Sequence, residues 1–326
     1  MIGSGPSTRM DNRVIHGDNL EILRRDIADE MVDLCYIDPP FHSGRNYGDA
    51  FRDTWAWDEP ASNALEQLTA APEVLALLNG FRIAIGETGL LSYLVAMAPR
   101  IAEIHRVLRP TGTLFLHCDP TASHYLKVLC DAMFVRRGGA LRNEIIWCYS
   151  HGGRGKRHFG RKHDVILFYS KSEEYTFNEE AVRVEMRSGK HSFGGKLLAD
   201  ENGRKYRLVY GTKNSKGESR YYKYFLDEGK VPEDWWIDIN SIQATSAERL
   251  GYPTQKPEAL LERILLACTN PGDLVLDAYC GSGTTAVTAE RLGRRWIAID
   301  CSQQSLDVTL NRLERVRTEG DGKPRR

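Results

Sequence analysis

The sequence lacks the features that mark membrane, exported and metal-dependent proteins. No apolar run approaches the roughly 20 residues of a membrane span, and no apolar stretch of a secretory signal follows the first basic residue. Seven cysteines are present, but none forms a Cys-x-x-Cys pair. We therefore expect reduced, mostly buried thiols in a cytoplasmic protein, with neither a disulfide framework nor a metal site.

The sequence also lacks net charge, because 44 Lys and Arg balance 44 Asp and Glu. At first this argues against a polyanionic partner. The balance is not uniform, however, since residues 151–230 contain 18 Lys and Arg against 11 Asp and Glu. A basic segment on a neutral protein can form a phosphate-binding surface, although a solvated surface lobe has the same composition.

Apolar runs that end abruptly alternate with segments of helical periodicity. Strands are predicted at 14–16, 32–37, 113–117, 144–149, 164–169, 274–276 and 296–299. Helices are predicted from residue 20 and at 61–79, 92–108, 121–134, 258–268, 284–292 and 302–315. This alternation predicts an α/β fold with a doubly wound, mostly parallel sheet. Residues 109–112 are predicted to form a turn, and residues 172–245 an insertion of short strands and loops.

A glycine-rich turn follows a strand near the carboxyl end of the chain. The strand at 274–279 continues into Gly281-Ser-Gly283 and then into a helix. Glycine lets the backbone approach a ligand, and the N-terminus of the helix offers free N–H groups to an anion. Asp300 ends the next strand, where a carboxylate can accept hydrogen bonds from both hydroxyls of a ribose. The pattern predicts a nucleotide-cofactor loop.

The same turn also fits a dinucleotide fingerprint, Gly281-x-Gly283-x-x-Ala286, so NAD has to be considered. Only about 26 residues follow Asp300, which is too few for the remaining strands of a dinucleotide-binding fold. Those strands must come from the N-terminal part, so we expect a circularly permuted sheet and disfavour an NAD-dependent oxidoreductase. A tight turn without a binding role is the other alternative.

A second loop, Asp38-Pro39-Pro40-Phe41, follows the strand at 32–37 and is expected at the same edge of the sheet. Its prolines fix φ and restrict the residues before them, so the loop is rigid. The Asp38 carboxylate and the Pro39 carbonyl can accept both hydrogens of an exocyclic amino group and aim its lone pair at an electrophilic methyl group. Phe41 can stack on the ring. A strand-terminating loop with a capping Asp is the structural alternative.

In the order of these two loops the chain resembles the permuted, or β, class of DNA amino-methyltransferases, which modify N6 of adenine or N4 of cytosine. The resemblance extends from Val14 to Leu313. It implies a Rossmann-like methyltransferase fold, circularly permuted, with an inserted target-recognition lobe. The implied divisions are a catalytic half at 13–150, the recognition lobe at 151–245, a cofactor-binding half at 246–317, and flexible tails at 1–12 and 318–326.

The resemblance also implies a role for each residue that matches a family motif. The catalytic motif is matched by Asp38, Pro39, Pro40 and Phe41. The S-adenosyl-L-methionine loop is matched by Asp277, Tyr279, Gly281, Gly283, Thr284 and Thr285, with Ala278-Tyr279 where the family has Pro-Phe. Other implied cofactor contacts are Asp18 to the adenine, Asp300 to the ribose, and Thr254 and Lys256 to the methionine carboxylate. The target-base pocket is assigned to Phe41, Trp147 and Tyr149.

Duplex DNA is the expected partner, and the base must be flipped out because its amino group is hidden in the helix. Basic stretches at 152–162, 204–207 and 213–223, with tyrosines interleaved, suit phosphate contacts. Solubility alone also explains any single Lys or Arg there. The predicted DNA-binding residues are Arg154, Lys156, Arg157, Arg161 and Lys162.

The choice of base is only partly constrained. Relatives with Asp first in the catalytic motif are more often N6-adenine enzymes, so Asp38 favours adenine over cytosine N4. Methylation at cytosine C5 needs a Cys nucleophile, normally after Pro, and the sequence has no Pro-Cys. An RNA or protein methyltransferase and an inactive DNA-binding regulator with the same fold are the alternatives.

The family resemblance further implies a bacterial or archaeal protein of the cytoplasm that is nucleoid-associated when bound to DNA. A homodimer and a cognate restriction endonuclease, as in a restriction-modification system, are compatible with the sequence.

Overall fold

The computed structural model describes residues 12–41, 44–46, 52–68, 72–150, 157–185, 197–213, 217 and 219–320. The chain divides into two compact units. The smaller comprises Asn178–Glu233, and the larger comprises the segments before and after it. Within the described ranges, no helix combines the length and the apolar content that a membrane crossing requires.

Thirteen strands are found in the described part of the chain. They are β1 (Arg13–His16), β2 (Val32–Ile37), β3 (Arg45–Asn46), β4 (Arg52–Asp53), β5 (Leu108–Cys118), β6 (Ala140–Cys148), β7 (His163–Ser170), β8 (Leu197–Ala199), β9 (Lys205–Tyr210), β10 (Tyr221–Phe225), β11 (Trp235–Trp236), β12 (Leu274–Asp277) and β13 (Arg295–Asp300).

Eight α-helices are found in the same part of the chain. They are α1 (Asn19–Asp26), α2 (Glu59–Glu66), α3 (Pro72–Ile85), α4 (Gly89–Val107), α5 (Ser123–Met133), α6 (Glu258–Cys268), α7 (Thr284–Arg291) and α8 (Gln303–Gly320).

The larger unit is built on an eight-stranded sheet in the order β1-β13-β12-β2-β5-β7-β6-β11. Neighbouring strands from β1 to β5 are parallel, and β7 is antiparallel to both β5 and β6. The C-terminal strands β12 and β13 thus lie between the N-terminal strands β1 and β2. This is the mostly parallel, permuted arrangement that the sequence predicts.

Alternate residues of the central strands face different layers of helices. Cys35 and Ile37 of β2 belong to one apolar core with residues of α1, α4 and α5, whereas Leu34 and Tyr36 are buried outside that core. Successive side chains of a strand point to opposite faces of the sheet, so both faces are covered.

One predicted helix is two helices. The periodicity at 61–79 predicts a single helix, but the structure has α2 ending at Glu66 and α3 beginning at Pro72. Proline lacks an N–H and is tolerated in the first turn of a helix but not in its interior, which accounts for the separation.

The predicted turn at 109–112 is an irregularity within β5. Leu108 pairs with Val32 and Thr113 pairs with Leu34, so residues 109–112 are looped out between two ladder positions. Such bulges bend a strand locally without ending it.

The smaller unit contains an antiparallel sheet in the order β10-β9-β8. Two strands of the range 151–245, β7 and β11, belong instead to the eight-stranded sheet. The limits of the target-recognition lobe therefore stay a prediction.

Candidate active site

Four acidic residues follow or end parallel strands at one edge of the large sheet. Asp18 comes after β1, Asp38 after β2, Asp277 ends β12 and Asp300 ends β13. Because the carboxyl ends of parallel strands meet at one edge, the topology brings these carboxylates together. All four line a cavity of about 350 Å³.

Most of the predicted catalytic and cofactor residues line this same cavity. They are Asp18, Asp38, Pro39, Pro40, Phe41, Thr254, Lys256, Asp277, Tyr279, Gly281, Thr284, Thr285 and Asp300. Gly283, Trp147 and Tyr149 are not part of its lining. Arg154 and Lys156 lie outside the described residues.

The carboxylate of Asp38, which the sequence predicts to be catalytic, is held by a lysine from the other half of the chain. Lys256 Nζ donates to Oδ2 of Asp38 at 2.5 Å, and only 9% and 15% of the two side chains is exposed. The other oxygen of this carboxylate, Oδ1, is buried and has no hydrogen-bond partner among the residues that the structure describes. Leaving a buried acceptor unpaired is costly, so Oδ1 is able to accept a hydrogen bond from a bound ligand.

The ammonium of Lys256 also lies 5.1 Å from the centre of the Phe41 ring. Lys256 thus contacts two members of the predicted catalytic loop. The prediction that it binds the methionine carboxylate is not tested by these contacts.

The segment before Lys256 is strained. Thr254 has φ +59°, a left-handed conformation that a β-branched residue rarely adopts. Its carbonyl oxygen accepts a 3.4 Å hydrogen bond from Lys256 Nζ. Backbone strain of this kind is typical of functional sites, where the surrounding structure enforces it.

The glycine-rich turn depends on two positive φ angles. Gly281 has φ +48° and Gly283 has φ +74°. A Cβ on Gly283 would lie 2.5 Å from Oγ1 of Thr309 in α8, so glycine is required there for close approach. Gly283 caps α7 and thereby positions Thr284 and Thr285 at its first turn.

Asp277 is buried at the start of this turn and accepts two hydrogen bonds. Thr285 Oγ1 donates to its Oδ2 at 2.5 Å, and the Tyr279 N–H donates to its Oδ1 at 3.0 Å. Burial raises the pKa of Asp277 to about 7 in spite of these bonds, and the carboxylates of Asp38 and Asp300 add to the shift.

Asp300 has its carboxylate fixed by the backbone. The Gly281 N–H donates to Oδ2 at 2.8 Å and the Ser302 N–H donates to Oδ1 at 2.9 Å. Burial still raises the pKa of Asp300. Each carboxylate oxygen keeps a further lone pair, so Asp300 can accept additional hydrogen bonds from a ligand.

Asp18 has a structural partner that the sequence reasoning missed. Its Oδ1 caps α1 by accepting from the N–H of Leu20, and its Oδ2 pairs with Arg100 Nη2 at 2.7 Å. Arg100 Nε also donates to Asn19 Oδ1 at 2.7 Å. Arg100 is the first charged residue after the largely apolar first half of α4, and that position is the signal in the sequence that points to it.

The sequence motifs also do not predict the largely apolar wall of the cavity. Trp55, Met97 and Tyr252 line it beside Tyr279. Trp55 contacts the ring of Tyr93 edge to face at 5.2 Å, and its Nε1 donates to Asp53 Oδ1 at 3.2 Å.

Of the three residues predicted to hold the target base, Phe41 lines the cavity, whereas Trp147 and Tyr149 lie outside its lining. The rings of Trp147 and Tyr149 contact each other edge to face, with 5.4 Å between their centres. Trp147 Nε1 donates to the carbonyl oxygen of Ile239 at 2.9 Å. The ring of His117, a residue outside the sequence motifs, stacks on Phe41 and meets Trp147 edge to face. The distance between ring centres is 5.7 Å in both cases.

The three predicted DNA-binding residues that the structure describes lie in the connection from β6 to β7. Arg157 and Arg161 are exposed, and Phe159 between them is 98% exposed. Lys162 Nζ donates to the carbonyl oxygen of Ser150 at 2.8 Å, which closes the base of this connection. Since β6 runs parallel to β5, the connection leaves the sheet at the edge where the cavity lies.

Comparison with known proteins agrees with the resemblance seen in the sequence. A family model described as DNA methylase, of the N6 and N4 methyltransferase type, matches residues 32–311. The chain is 31% identical over 312 residues to the DNA adenine methyltransferase YhdJ of Escherichia coli (strain K12), a match that covers 94% of this chain and 85% of YhdJ.

Two solved structures share the fold. PvuII DNA methyltransferase, described as cytosine-N4-specific, aligns with a TM-score of 0.58 at 16% identity over 95% of this chain and 92% of its own. The DNA modification methylase TTHA0409 of Thermus thermophilus, solved with S-adenosyl-L-methionine, aligns with a TM-score of 0.52 at 18% identity over 94% of each chain. The predicted fold class is confirmed, and the chain belongs to the N6/N4 DNA methylase family.

Proposed function

We propose that the protein transfers a methyl group from S-adenosyl-L-methionine to an exocyclic amino group of a flipped DNA base, with N6 of adenine favoured over N4 of cytosine. The observation that carries this proposal is the hydrogen bonding of the Asp38 carboxylate. One carboxylate oxygen is fixed by Lys256, and the other is buried and has no hydrogen-bond partner within the described part of the chain, in the cavity that the glycine-rich turn also lines. An amino hydrogen of the base is the donor that this oxygen lacks.

The residues present in the cavity fit S-adenosyl-L-methionine, which combines an adenine, a ribose, a sulfonium and an amino acid. Trp55, Met97 and Tyr279 offer an apolar wall to a flat ring, and Asp300 offers acceptors to ribose hydroxyls. The carboxylates of Asp18, Asp277 and Asp300 suit a cationic ligand. We propose Gly281, Thr284, Thr285 and Thr254 as the backbone and hydroxyl contacts around it, with Gly283 shaping the turn that presents them.

The cofactor supplies an electrophilic methyl group when it is bound. Asp38 Oδ1 and the Pro39 carbonyl oxygen each accept one hydrogen of the target amino group. With both hydrogens held, the nitrogen lone pair is directed toward the methyl group, and orientation supplies much of the rate. Asp38 is then the nearest acceptor for the proton that the methylated nitrogen must lose. Lys256 balances the carboxylate charge until that proton is taken up.

Phe41, Trp147 and Tyr149 would hold the flipped base, and DNA would be bound by the basic segments. Arg154, Lys156, Arg157, Arg161 and Lys162, all in the β6–β7 connection, would contact phosphates. In the smaller unit, exposed tyrosines on β9 and β10 provide stacking surfaces. These are Tyr210, Tyr221, Tyr222 and Tyr224.

Not every cation of the smaller unit is available for phosphates. Arg204 pairs with Asp227 at 2.6 Å and with Glu228 at 2.9 Å, and its guanidinium lies 4.1 Å from the centre of the Phe225 ring. Its charge is therefore balanced locally. We expect its replacement to weaken DNA binding less than replacement of Arg157.

Two observations favour adenine. Asp stands first in the catalytic motif, and YhdJ, at 31% identity, is named a DNA adenine methyltransferase. The cytosine-N4-specific structure is only 16% identical. A homodimer, a cognate restriction endonuclease and a location on the nucleoid stay predictions.

The test is to incubate the protein with S-adenosyl-L-methionine and unmethylated duplex DNA, to digest the DNA to nucleosides and to identify the product by mass spectrometry. We expect N6-methyladenine. N4-methylcytosine would overturn the choice of base while leaving the site assignments intact. Methylation of RNA instead of DNA, by a protein that binds the cofactor, would contradict the proposal.

A further inference from the structure

Four aromatic or acidic side chains line up on one face of the large sheet, behind the catalytic loop. They come from four neighbouring strands, β2, β5, β7 and β6. Tyr36 lies on β2, His117 on β5, Asp164 on β7 and Trp147 on β6. Strand register places Trp147 directly opposite Asp164. Side chains of directly paired residues lie on the same face.

The centre of this row is His117, which is fully buried and has a partner at each ring nitrogen. Nε2 lies 3.1 Å from Oδ2 of Asp164, and Nδ1 lies 2.9 Å from the hydroxyl of Tyr36. An ionised carboxylate only accepts, so Nε2 carries a proton. In the neutral ring, Nδ1 then accepts from Tyr36. These two bonds fix the plane of the imidazole.

Asp164 is suited to this role. Burial raises its pKa, but the hydrogen bond from His117, the charge of Lys256 and the hydrogen bond from Tyr149 together outweigh that effect, so the pKa lies below its ordinary value. Its second oxygen, Oδ1, accepts a 3.0 Å hydrogen bond from the Tyr149 hydroxyl. Asp164 therefore connects His117 to Tyr149 through one carboxylate.

The fixed imidazole contacts the residues proposed to hold the base. Its plane lies within 24° of the Phe41 ring, with 5.7 Å between the ring centres. It meets Trp147 edge to face, at an interplanar angle of 89°. Phe41, Trp147 and Tyr149 thus all touch either His117 or Asp164.

We infer that His117 and Asp164 are positioning residues that fix Phe41, Trp147 and Tyr149 as one rigid receptor for the flipped base. Neither residue lines the cavity, so neither is placed to touch the reacting atoms. The inference rests on the proposed function, because it concerns how the same site holds its substrate. It adds two residues that none of the sequence motifs identifies.

The experiment compares four full-length variants with the wild type. His117→Ala removes the ring, His117→Gln keeps a donor for Asp164 without the ring, and Asp164→Asn keeps the shape of the acid without its charge. Phe168→Leu is the matched control, since Phe168 lies on the same two central strands and its ring contacts in the described part of the chain are with Phe115, at 4.4 Å between ring centres, and Tyr175. For each variant, thermal stability, cofactor affinity and the single-turnover rate on saturating DNA are measured.

We expect His117→Ala and Asp164→Asn to lower the single-turnover rate about 10-fold to 100-fold while cofactor affinity stays within about twofold, because misplaced groups slow the reaction without altering the cofactor site. His117→Gln should regain part of the rate. Phe168→Leu should lose thermal stability but keep the rate at temperatures where it is folded.

The inference is wrong if His117→Ala and Asp164→Asn react within about twofold of the wild type, or if their rates fall only as far as their stability does. If His117→Ala does not fold, the Asp164→Asn result decides. The wild-type arm tests the proposed function separately, since only that arm can show whether DNA is methylated at all.

Discussion

Lys256 Nζ lies 2.5 Å from Oδ2 of Asp38, although 218 residues separate the two in the chain. Asp38 follows β2, and Lys256 precedes α6 beside the cofactor turn. The Lys256 backbone is itself anchored, because Thr284 Oγ1 donates to its carbonyl oxygen at 3.2 Å. Through Lys256, the predicted catalytic loop is therefore connected to the first turn of α7. We propose that the second oxygen of Asp38 accepts from the substrate.

Replacing Lys256 with Met should weaken both stability and methyl transfer. The substitution leaves the mostly buried Asp38 carboxylate without its cation, which we expect to cost about 3 kcal/mol in the free energy of unfolding. Methyl transfer should fall about 10-fold or more, because Asp38 loses its fixed orientation. Urea unfolding and steady-state methylation assays measure the two effects.

The double variant Asp38→Asn/Lys256→Met provides the control for this pair. It should recover much of the lost stability, since no buried charge is left alone, but none of the activity. Equal stability of the wild type and Lys256→Met would show that the ion pair does not form as described.

Gly283→Ala should abolish cofactor binding or prevent folding. The new methyl group would meet Thr309 at 2.5 Å, and Ala is strained at φ +74°. Gly293→Ala is a close match, since Gly293 has φ +72° but no atom within 4 Å of an added Cβ. It should cost only about 1 kcal/mol of stability and keep cofactor affinity. Isothermal titration with S-adenosyl-L-methionine distinguishes the two, and similar behaviour of both variants would contradict the close approach of α7 and α8.

Asp277→Asn should flatten the pH dependence of stability. The pKa of Asp277 in the folded protein, about 7, lies above its ordinary value of 3.8, so the protonated form favours folding. That stabilisation is fully present below about pH 4 and is lost as the pH rises through about 7. Between pH 5 and pH 8, the wild type should lose about 3 kcal/mol through this residue, and Asp277→Asn should not.

Urea unfolding of both proteins at pH 5 and pH 8 measures this difference, because contributions of other groups are common to the two. Asp307→Asn makes the same charge change at an exposed position on α8 and serves as the control. Parallel pH profiles for the wild type and Asp277→Asn would show that Asp277 does not take up a proton on folding.

Much of the fold follows from local patterns in the sequence. The apolar run Val32–Ile37 matches β2, and the helical periodicity of Glu258–Cys268 matches α6. Abrupt ends of apolar runs at Asp38 and Asp277 also placed both predicted loops at one sheet edge. These features depend on residues close in sequence, where side-chain periodicity and proline or glycine positions are decisive.

The contacts of the site could not be predicted in the same way. His117 is one polar residue within an apolar run, and Asp164 lies near the start of another strand, 47 residues later. Only the order β2-β5-β7-β6 brings them behind Phe41. Likewise, nothing near Lys256 indicates that its ammonium reaches Asp38, because that contact depends on the permuted placement of β12 beside β2.

The most direct test of the central claim compares the wild type with Asp38→Ala, measuring cofactor affinity and methyl transfer to unmethylated duplex DNA in parallel. We predict that Asp38→Ala binds S-adenosyl-L-methionine within a few-fold of the wild type but transfers no detectable methyl group, because it lacks the acceptor for the target amino group. Methyl transfer by Asp38→Ala at a rate near that of the wild type, or loss of cofactor binding together with activity, would contradict the role assigned to Asp38.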